Sequence, residues 1–424
     1  MTSAASLLEP LVGSLLGDEP PVAVRFWDDS VLGDGAPAAI HVRSPEAVRH
    51  LLWSPGELGL GRAYVAGHLD IDGDVYDLLR LRDHIAESRE DADLRLGPRT
   101  WASLLPAALR LRLLGRRPPL PAEEARLAGR MHSRQRDAEA IRHHYDVSND
   151  FYRLVLGPTM TYSCAYFRSE DMGLDDAQAS KYELICRKLG LRRGMRLLDV
   201  GCGWGGMVLH AAREHGVHAV GVTLSRAQHE LASTRVAEAG LSGLVEVRLQ
   251  DYRDVHDGPY DAISSIGMFE HVGLRMLREY FLRLFTLLRP GGRLLNHGIS
   301  RPHGQGGFDR GSFIDRYVFP DGELHEVGRV VSTMDDLGFE VRDVHSLREH
   351  YARTLRAWVA NLEAGWDHAQ RLAGPGRARV WRLYMAASAL NFEAGRSNIH
   401  QVLAVKPDGG DARVPLTRTG WLDW

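Results

Sequence analysis

The sequence has few cysteines, no long apolar run and little net charge, and each absence excludes a class of protein. Its three cysteines, Cys164, Cys186 and Cys202, lack the paired spacing of a disulfide framework or a zinc site. No stretch reaches the ~18 consecutive apolar residues of a membrane span, and the N-terminus lacks the basic region of a signal peptide. A net charge of −3 gives no reason to expect a nucleic-acid partner. We therefore expect a cytoplasmic protein without a bound metal that meets any lipid from the aqueous side.

The length of 424 residues exceeds one typical domain, and the sequence pattern changes along the chain. Residues 1–90 alternate short strand-like runs with turn-forming glycine, aspartate and proline, whereas helical and apolar stretches alternate from about residue 130 onward. We predict a smaller α+β domain over residues 1–120 and a larger domain over residues 121–424.

The larger domain shows the alternation that predicts a parallel, doubly wound α/β sheet of the Rossmann-like type. Its predicted strands and helices are, in order, strands at 196–200, 218–223, 245–249, 261–266 and 293–297, and helices at 207–215, 226–239 and 275–288. Because ligands of such sheets bind at the carboxyl ends of the strands, the residues that follow these runs are the candidates for a site.

A glycine-rich turn ends the first strand of this predicted sheet. Gly201 and Gly203 follow apolar residues, and the helix after the turn aims its unpaired N–H groups at the same place, as in a cofactor site. The acid in Asp199-x-Gly201-x-Gly203 favours an S-adenosylmethionine-dependent methyltransferase. The second strand ends at Thr223 without the carboxylate that dinucleotide enzymes use for the ribose, although such an enzyme and a purely structural turn remain alternatives.

Further polar residues stand beside apolar segments, where stability alone does not require them. They occur in the run Tyr162-Ser163-Cys164 and at Glu270, His297 and Tyr351. A single buried cysteine, histidine or tyrosine is more often a satisfied core residue than a catalyst. None of these residues therefore decides the function by itself.

Together the motifs resemble the cyclopropane-fatty-acyl-phospholipid synthases, a family that includes the mycolic acid cyclopropane synthases. Seven separated motifs occur in the family's order, at residues 144–152, 162–164, 200–206, 221–225 with Gln228, 250–253, 269–273 and 351–355. Residues 1–120 resemble, more loosely, the additional domain of the longer members that act on phospholipids. The resemblance implies a class I methyltransferase fold in the larger domain and S-adenosylmethionine as the cofactor.

The resemblance also implies a reaction, methyl transfer to the cis double bond of an unsaturated phospholipid acyl chain. The resulting carbocation loses a proton to a bound bicarbonate ion, and a cyclopropane ring closes. If a hydride shifts first, the product is instead a 10-methylene fatty acid, which a separate reductase would convert to a 10-methyl branch. Two interpretations from other classes stay open: a small-molecule methyltransferase that shares only the cofactor domain, and a lipid-binding protein without catalysis.

Site residues follow from the resemblance position by position. Those of catalysis and the bicarbonate site are Cys164, Glu270, His297, Tyr351 and Ile299, the last through its backbone. Those of the cofactor site are Tyr162, Ser163, Gly201, Gly203, Thr223, Gln228 and Asp251, to which the glycine-turn motif adds Asp199. Gly298 stands where many relatives carry threonine, next to the implied proton acceptor, so the choice between ring and methylene group stays open.

A basic segment gives the chain a route to a membrane surface. Arg112, Arg116 and Arg117 follow leucines in residues 100–117, a pattern typical of a helix on an anionic bilayer and equally of a solvated inter-domain helix. We expect an enzyme that is peripheral at the inner face of the cell membrane, with phospholipid and no nucleic acid as its partner. Relatives often dimerise, and a homodimer is compatible with this sequence.

Overall fold

The computed structural model describes residues 2–17, 20–33, 38–80, 106–111, 113–125, 136, 147–304 and 311–422. Its contacts divide the chain into two units, of which the first comprises Met1–Arg126, Arg310–Val318 and Trp366–Leu390. The second comprises Leu127–Asp309, Phe319–Gly365 and Asn391–Trp424. The predicted division made a single cut at residue 120, whereas two later segments, 310–318 and 366–390, group here with the N-terminal unit. Residues 144–146 of the first family motif, and Arg112, lie outside the described residues.

Helices and strands are numbered along the chain. The helices are α1 Ala4–Leu16, α2 Pro45–Trp53, α3 Glu57–Val65, α4 Asn149–Leu156, α5 Leu174–Leu189, α6 Gly206–His215, α7 Arg226–Glu238, α8 Leu277–Leu287, α9 Phe313–Tyr317, α10 Val327–Asp336, α11 Arg348–Ala364, α12 Trp366–Ala373, α13 Pro375–Glu393 and α14 Thr419–Leu422. The strands are β1 Ala23–Phe26, β2 Val31–Leu32, β3 Ala39–Val42, β4 Leu69–Asp72, β5 Arg196–Val200, β6 His218–Thr223, β7 Val245–Leu249, β8 Tyr260–Ile266, β9 Leu288–Ser300, β10 Glu340–Ser346 and β11 Asn398–Val405. Short 3₁₀ turns lie at Tyr252–Asp254, Phe269–His271 and Leu274–Met276.

The first unit contains a four-stranded sheet in the order β2-β1-β3-β4, in which β1 and β3 are parallel. Its interior holds an ion pair between Arg62 and Glu124 at 2.7 Å, and the Tyr317 hydroxyl donates to the same carboxylate at 3.3 Å. Asp70 of β4 pairs with Arg379 of α13 at 3.0 Å, across 309 residues of sequence. Buried charges are tolerated only when they are paired, so these contacts fix which later segments complete the unit.

The second unit contains a seven-stranded sheet in the order β10-β11-β9-β8-β5-β6-β7. The five strands β5 to β9 pair in parallel, which confirms the predicted doubly wound sheet, and their bounds differ from the predicted ones chiefly at β9. The two remaining strands are antiparallel to their neighbours and form one edge of the sheet. The prediction of a parallel sheet did not include them, because their pairing depends on contacts distant in sequence.

The central strand β5 is buried on both faces of the sheet. Leu198 belongs to a core cluster with Phe281 and Leu284 of α8, whereas its neighbour Leu197 belongs to a second cluster with Ile185 of α5. Consecutive side chains of a strand point to opposite faces, so each face of β5 receives one of the two leucines. Helices thus cover both faces, and the carboxyl ends of β5, β6, β8 and β9 meet at one edge.

No helix within the described ranges has both the length and the apolar character that crossing a bilayer requires.

Candidate active site

The glycine turn after β5 has the geometry that the sequence pattern predicts. Gly201, Gly203 and Gly205 have φ of 78°, 54° and 82°, in the left-handed region that side chains with a Cβ rarely adopt. The N–H groups of Gly201 and Cys202 donate to the Val222 carbonyl at 3.0 Å, which ties the turn to β6. A Cβ added at Gly203 would meet no atom within 4 Å, so this part of the backbone faces open space. The turn therefore presents bare backbone to a ligand.

Asp199 ends the apolar part of β5 just before the turn. Its carboxylate is 2 % exposed and accepts a hydrogen bond from the Ser264 hydroxyl at 2.6 Å. Burial raises the pKa of this carboxyl to about 6, although the serine hydrogen bond and the Lys181 charge oppose the rise. Asp199 therefore stays an acceptor for hydroxyl or amine donors near neutral pH.

The end of β6 supplies neutral polar groups to the same place. The Thr223 hydroxyl donates to Gln228 Oε1 at 2.8 Å, which fixes the amide so that its nitrogen is the free donor. Ser225 caps α7 by accepting the Gln228 backbone N–H at 3.3 Å, so the cap positions the glutamine. Neutral groups thus replace the acid that dinucleotide enzymes place at this strand end.

An open-mouthed cavity of about 910 Å³ lies against the turn. Seven of the predicted cofactor residues line it: Tyr162, Ser163, Asp199, Gly201, Gly203, Thr223 and Gln228. The eighth, Asp251, does not, although its neighbours Gln250 and Tyr252 do. Its carboxylate is bound instead by Arg253, with Nη2 and Oδ2 2.6 Å apart.

A second cavity adjoins the first and brings together all five residues predicted for the bicarbonate site. Cys164, Glu270, His297, Ile299 and Tyr351 line it, although they come from four separate parts of the sequence, with His297 and Ile299 both on β9. Tyr162 and Ser163 line both cavities and form a common wall between them.

Two buried polar atoms of this second cavity have no hydrogen-bond partner in the described part of the chain. Glu270 Oε1 accepts the Ile299 backbone N–H at 2.8 Å, whereas Oε2 is unpartnered. His297 Nδ1 lies 3.2 Å from the Gln401 amide nitrogen, whereas Nε2 is unpartnered. Buried polar groups are nearly always paired, so the two atoms fit a small polar ligand with donor and acceptor groups, as bicarbonate has.

The protonation states follow from burial. Burial raises the pKa of Glu270 to about 7 and lowers the pKa of His297 well below 6.5, so the imidazole is neutral at pH 7. With the Gln401 amide donating to Nδ1, the ring proton is on Nε2, and His297 offers a donor to the cavity. Burial also raises the pKa of the Cys164 thiol, which donates to the Ala165 carbonyl at 3.2 Å and is therefore no nucleophile.

Sequence reasoning missed Lys181, a buried lysine in the wall of the cofactor cavity. Its Nζ donates to the Ser163 hydroxyl at 2.9 Å and lies 4.0 Å from the centre of the Tyr182 ring. Burial lowers its pKa to about 7. A signal was present in the sequence: Ala177, Lys181 and Leu184 share one buried face of α5, at a spacing of four and three residues. A lysine on the apolar stripe of a helix indicates a functional or paired cation.

Comparison with known proteins identifies the family. The family model for mycolic acid cyclopropane synthetase matches residues 132–402, which is more than half of the chain. The chain belongs to this family. The enzyme is accordingly an S-adenosylmethionine-dependent methyltransferase, and the predicted family and class I fold are confirmed.

Individual relatives of this enzyme cover most of its length. It is 44% identical to "Probable fatty acid methyltransferase Rv3720" of Mycobacterium tuberculosis, over 99% of this chain and 98% of that protein. It is 33% identical to the cyclopropane-fatty-acyl-phospholipid synthase of Escherichia coli K12, over 88% and 89% of the two chains. The solved mycolic acid cyclopropane synthase CmaA1, in complex with SAH and CTAB, is 37% identical with a TM-score of 0.61, over 63% of this chain and 98% of that one.

Proposed function

We propose that this enzyme methylates the cis double bond of an unsaturated phospholipid acyl chain and closes a cyclopropane ring, with bicarbonate as the proton acceptor. The observation that carries the proposal is the pair of unpartnered buried atoms, Glu270 Oε2 and His297 Nε2, in a cavity that shares a wall with the cofactor cavity. The similarity to an enzyme named for cyclopropane formation on fatty acyl phospholipid supports the choice of substrate.

The cofactor cavity offers a matching partner to each part of S-adenosylmethionine, which supplies an electrophilic methyl group when bound. The glycine turn and the first N–H groups of α6 offer donors, and Asp199 and Gln228 offer an acceptor and a donor for hydroxyl and amine groups. Lys181 places a buried amine in the same wall, where it suits the cofactor's carboxylate.

The second cavity suits a weak nucleophile and a short-lived cation. An alkene attacks a methyl group only when it is held close and in line, so the protein's main contributions are positioning and the exclusion of water. The rings of Tyr162, Phe319 and Tyr351 line the cavity beside the apolar Leu324 and Ile399. Aromatic faces stabilise a neighbouring positive charge, and apolar walls keep water from quenching it.

Glu270 is the group of this chain that we assign to the onward movement of the proton. Its Oε1 is fixed by the Ile299 N–H, which leaves Oε2 to accept a proton on the cavity side. Because burial raises its pKa to about 7, the carboxylate is a stronger base than an exposed glutamate and exchanges protons readily near neutral pH. His297 Nε2–H is the donor that we assign to the bicarbonate anion, and Cys164 lines the same cavity.

For the lipid, we propose peripheral contact of the first unit with an anionic membrane at the cytoplasmic face. Leu109 and Leu114 are 64% and 53% exposed, and Arg110, Arg116 and Arg117 beside them are exposed as well. Exposed leucines interleaved with arginines suit insertion at a headgroup boundary.

We retain a second product as an alternative because of one residue in β9, Gly298. A Cβ at Gly298 would overlap the Phe269 ring, so the glycine lets this buried ring lie against the strand beside Ile299 and the bicarbonate site. Phe269 directly precedes Glu270, so we propose that its packing on β9 positions this carboxylate and thereby influences whether a proton leaves the new methyl group at once or a hydride shifts first. In the second case the product is a 10-methylene fatty acid, and a separate reductase is the next partner.

The test is expression in a bacterial host rich in oleoyl phospholipid, followed by mass spectrometry and proton NMR of its fatty acids. We expect a cyclopropane ring in cells with the wild-type enzyme and none with Glu270→Gln, whereas the exposed Glu279→Gln serves as the matched control and keeps the product. A methylene branch would establish the second product. An unchanged lipid fraction, together with S-adenosylhomocysteine release that does not depend on unsaturated phospholipid vesicles, would overturn both.

A further inference from the structure

Metal-binding side chains gather between α5 and α6, outside both cavities of the active site. Cys186 lies on α5, and His210 and His215 lie on α6. The thiol sulfur and one ring nitrogen of each histidine all lie within 4.8 Å of one another. The methyl-transfer chemistry uses none of these three residues, which are absent from the walls of both cavities.

A carboxylate lies next to the two histidines of the cluster. Glu183 stands one helical turn before Cys186 on α5, and its Oε2 lies 2.9 Å from His215 Nε2 and 3.4 Å from His210 Nε2. Arg187 binds the other oxygen, with Nε and Oε1 2.6 Å apart. The guanidinium therefore orients the carboxylate so that one oxygen faces both imidazoles.

We propose that Glu183, Cys186, His210 and His215 form a Zn²⁺ site. Tetrahedral zinc with bonds of about 2.0–2.3 Å places neighbouring ligand atoms about 3.3–3.5 Å apart. The two carboxylate–imidazole separations already lie near that value, and the separations among the thiol sulfur and the two ring nitrogens have to contract by at most about 1.3 Å. The carboxylate is not among the atoms that lie within 4.8 Å of one another, so it has to approach the thiol by rotation of its side chain.

The donor set selects zinc over the hard cations. One sulfur and two imidazole nitrogens suit zinc, whereas magnesium and calcium require oxygen ligands. A thiolate and a carboxylate together balance the two charges of the ion, which makes the site neutral. Four protein ligands leave no open position for water or substrate, so the site is structural.

Burial and position indicate how the ion enters and what it holds. The side chains of Glu183, His210 and His215 are 18% to 20% exposed, whereas Cys186 is fully buried, so the ion arrives from solvent and shields the thiol. The site joins two helices of the cofactor cavity, because α5 carries Lys181 and α6 follows the glycine turn directly. The sequence predicted no metal because Cys186 has no cysteine partner in sequence and the histidines lie on another helix.

The experiment uses tag-free full-length protein freed of metal by chelation. Titration with Co²⁺ reports a thiolate ligand through its near-ultraviolet charge-transfer band, and Zn²⁺ affinity is measured by competition with a chromophoric chelator. We expect one equivalent of metal and a melting temperature that zinc raises. Cys186→Ala is expected to remove the charge-transfer band, and His215→Gln to weaken zinc binding at least tenfold. The exposed His218→Gln is the matched control and retains both.

Each result bears on the proposal. A thiolate–cobalt band that depends on both Cys186 and His215 supports it. Absence of the band in the wild-type protein, or equal zinc affinity of wild type and His215→Gln, overturns it and leaves Glu183 as a hydrogen-bond acceptor for two histidines. Because His215→Gln changes a partly exposed side chain, its folded state is checked by circular dichroism, and a folded variant with unchanged zinc-induced stabilisation is equally contrary.

Discussion

Replacing Lys181 by methionine is expected to stabilise the protein while weakening its hold on the cofactor. The lysine is fully buried, and its amine has the Ser163 hydroxyl as a hydrogen-bond partner at 2.9 Å. Methionine has a similar length and no charge, so Lys181→Met removes the cost of burying a cation without leaving a large void. Buried charges kept at such a cost are typical of functional sites.

The magnitude follows from the pKa of Lys181, which burial lowers from 10.5 to about 7. Between pH 7 and pH 10.5 this lysine is protonated in the unfolded chain and largely neutral in the folded one. The unfolded chain therefore binds more protons, and the free energy of unfolding increases with pH over this interval. Below pH 7 the full shift costs about 5 kcal/mol, and at pH 9 about 2 kcal/mol of that cost is left, at ~1.4 kcal/mol per pH unit. The lost hydrogen bond to Ser163 offsets about 1 kcal/mol of the gain.

The assay is urea unfolding followed by tryptophan fluorescence at pH 6 and pH 9. We expect the free energy of unfolding of Lys181→Met to exceed that of the wild type by several kcal/mol at pH 6, and this difference to be about 2–3 kcal/mol smaller at pH 9. Lys188→Met is the matched control on the same helix, because that lysine is equally buried but pairs with Asp343 at 2.8 Å. Its removal leaves the buried Asp343 carboxylate paired with the exposed Arg418 alone among the described residues, so this variant should be less stable than the wild type.

Two results would refute this account of Lys181. One is a Lys181→Met variant that is less stable than the wild type at pH 6. The other is a stability difference that does not change between pH 6 and pH 9. Calorimetric titration with S-adenosylhomocysteine supplies the functional half of the prediction, in which the same variant binds at least tenfold more weakly. Equal affinity would remove Lys181 from the cofactor site.

Three further predictions test the site and the membrane surface. Glu270→Gln should lower the rate of lipid methylation by a factor of about 10² or more while leaving S-adenosylhomocysteine affinity unchanged. In the wild-type enzyme the rate should decrease as the pH is lowered through about 7, because Glu270 becomes protonated. A rate that does not change with pH would contradict the role of Glu270 as a base. Gly206→Ala should weaken cofactor binding measured by calorimetry, because the new Cβ would overlap the Tyr182 hydroxyl, and unchanged binding would mean that the ring moves freely. Arg116→Glu with Arg117→Glu should reduce sedimentation with anionic vesicles several-fold without altering cofactor affinity, whereas unchanged sedimentation would place the contact elsewhere.

Local patterns carried most of what could be predicted about the fold. Alternating apolar runs and helical stretches located β5 to β9 because these strands, except the edge strand β7, are largely buried on both faces. Glycines at 201 and 203 marked a turn that needs positive φ. The antiparallel strands β10 and β11 were not predicted, since their partners are fixed by packing. Likewise, residues 366–390 join the first unit through contacts such as Asp70–Arg379, which no local pattern indicates.

The site shows the same division between local and distant information. The five residues of the second cavity were placed together by the family's motifs, since nothing in their spacing brings Cys164 beside Tyr351. Lys181 was overlooked although its helical position was informative. The assignment of Asp251 to the cofactor stays a prediction, and no sequence pattern indicated that Arg253, two residues along the chain, binds its carboxylate. Side-chain pairing of this kind depends on rotamers, which sequence patterns do not specify.

The division of the first unit into three stretches of chain has a consequence for synthesis on the ribosome. The Asp70–Arg379 pair, and the contact of Tyr317 with the Arg62–Glu124 pair, cannot form until most of the polypeptide has been synthesised. The N-terminal unit therefore emerges first but completes its contacts late, in contrast to the usual order in which N-terminal domains fold first during translation. A truncated chain that ends before residue 366 would carry this unit without its last segment, and its exposed apolar surface would be a target for chaperones and proteases.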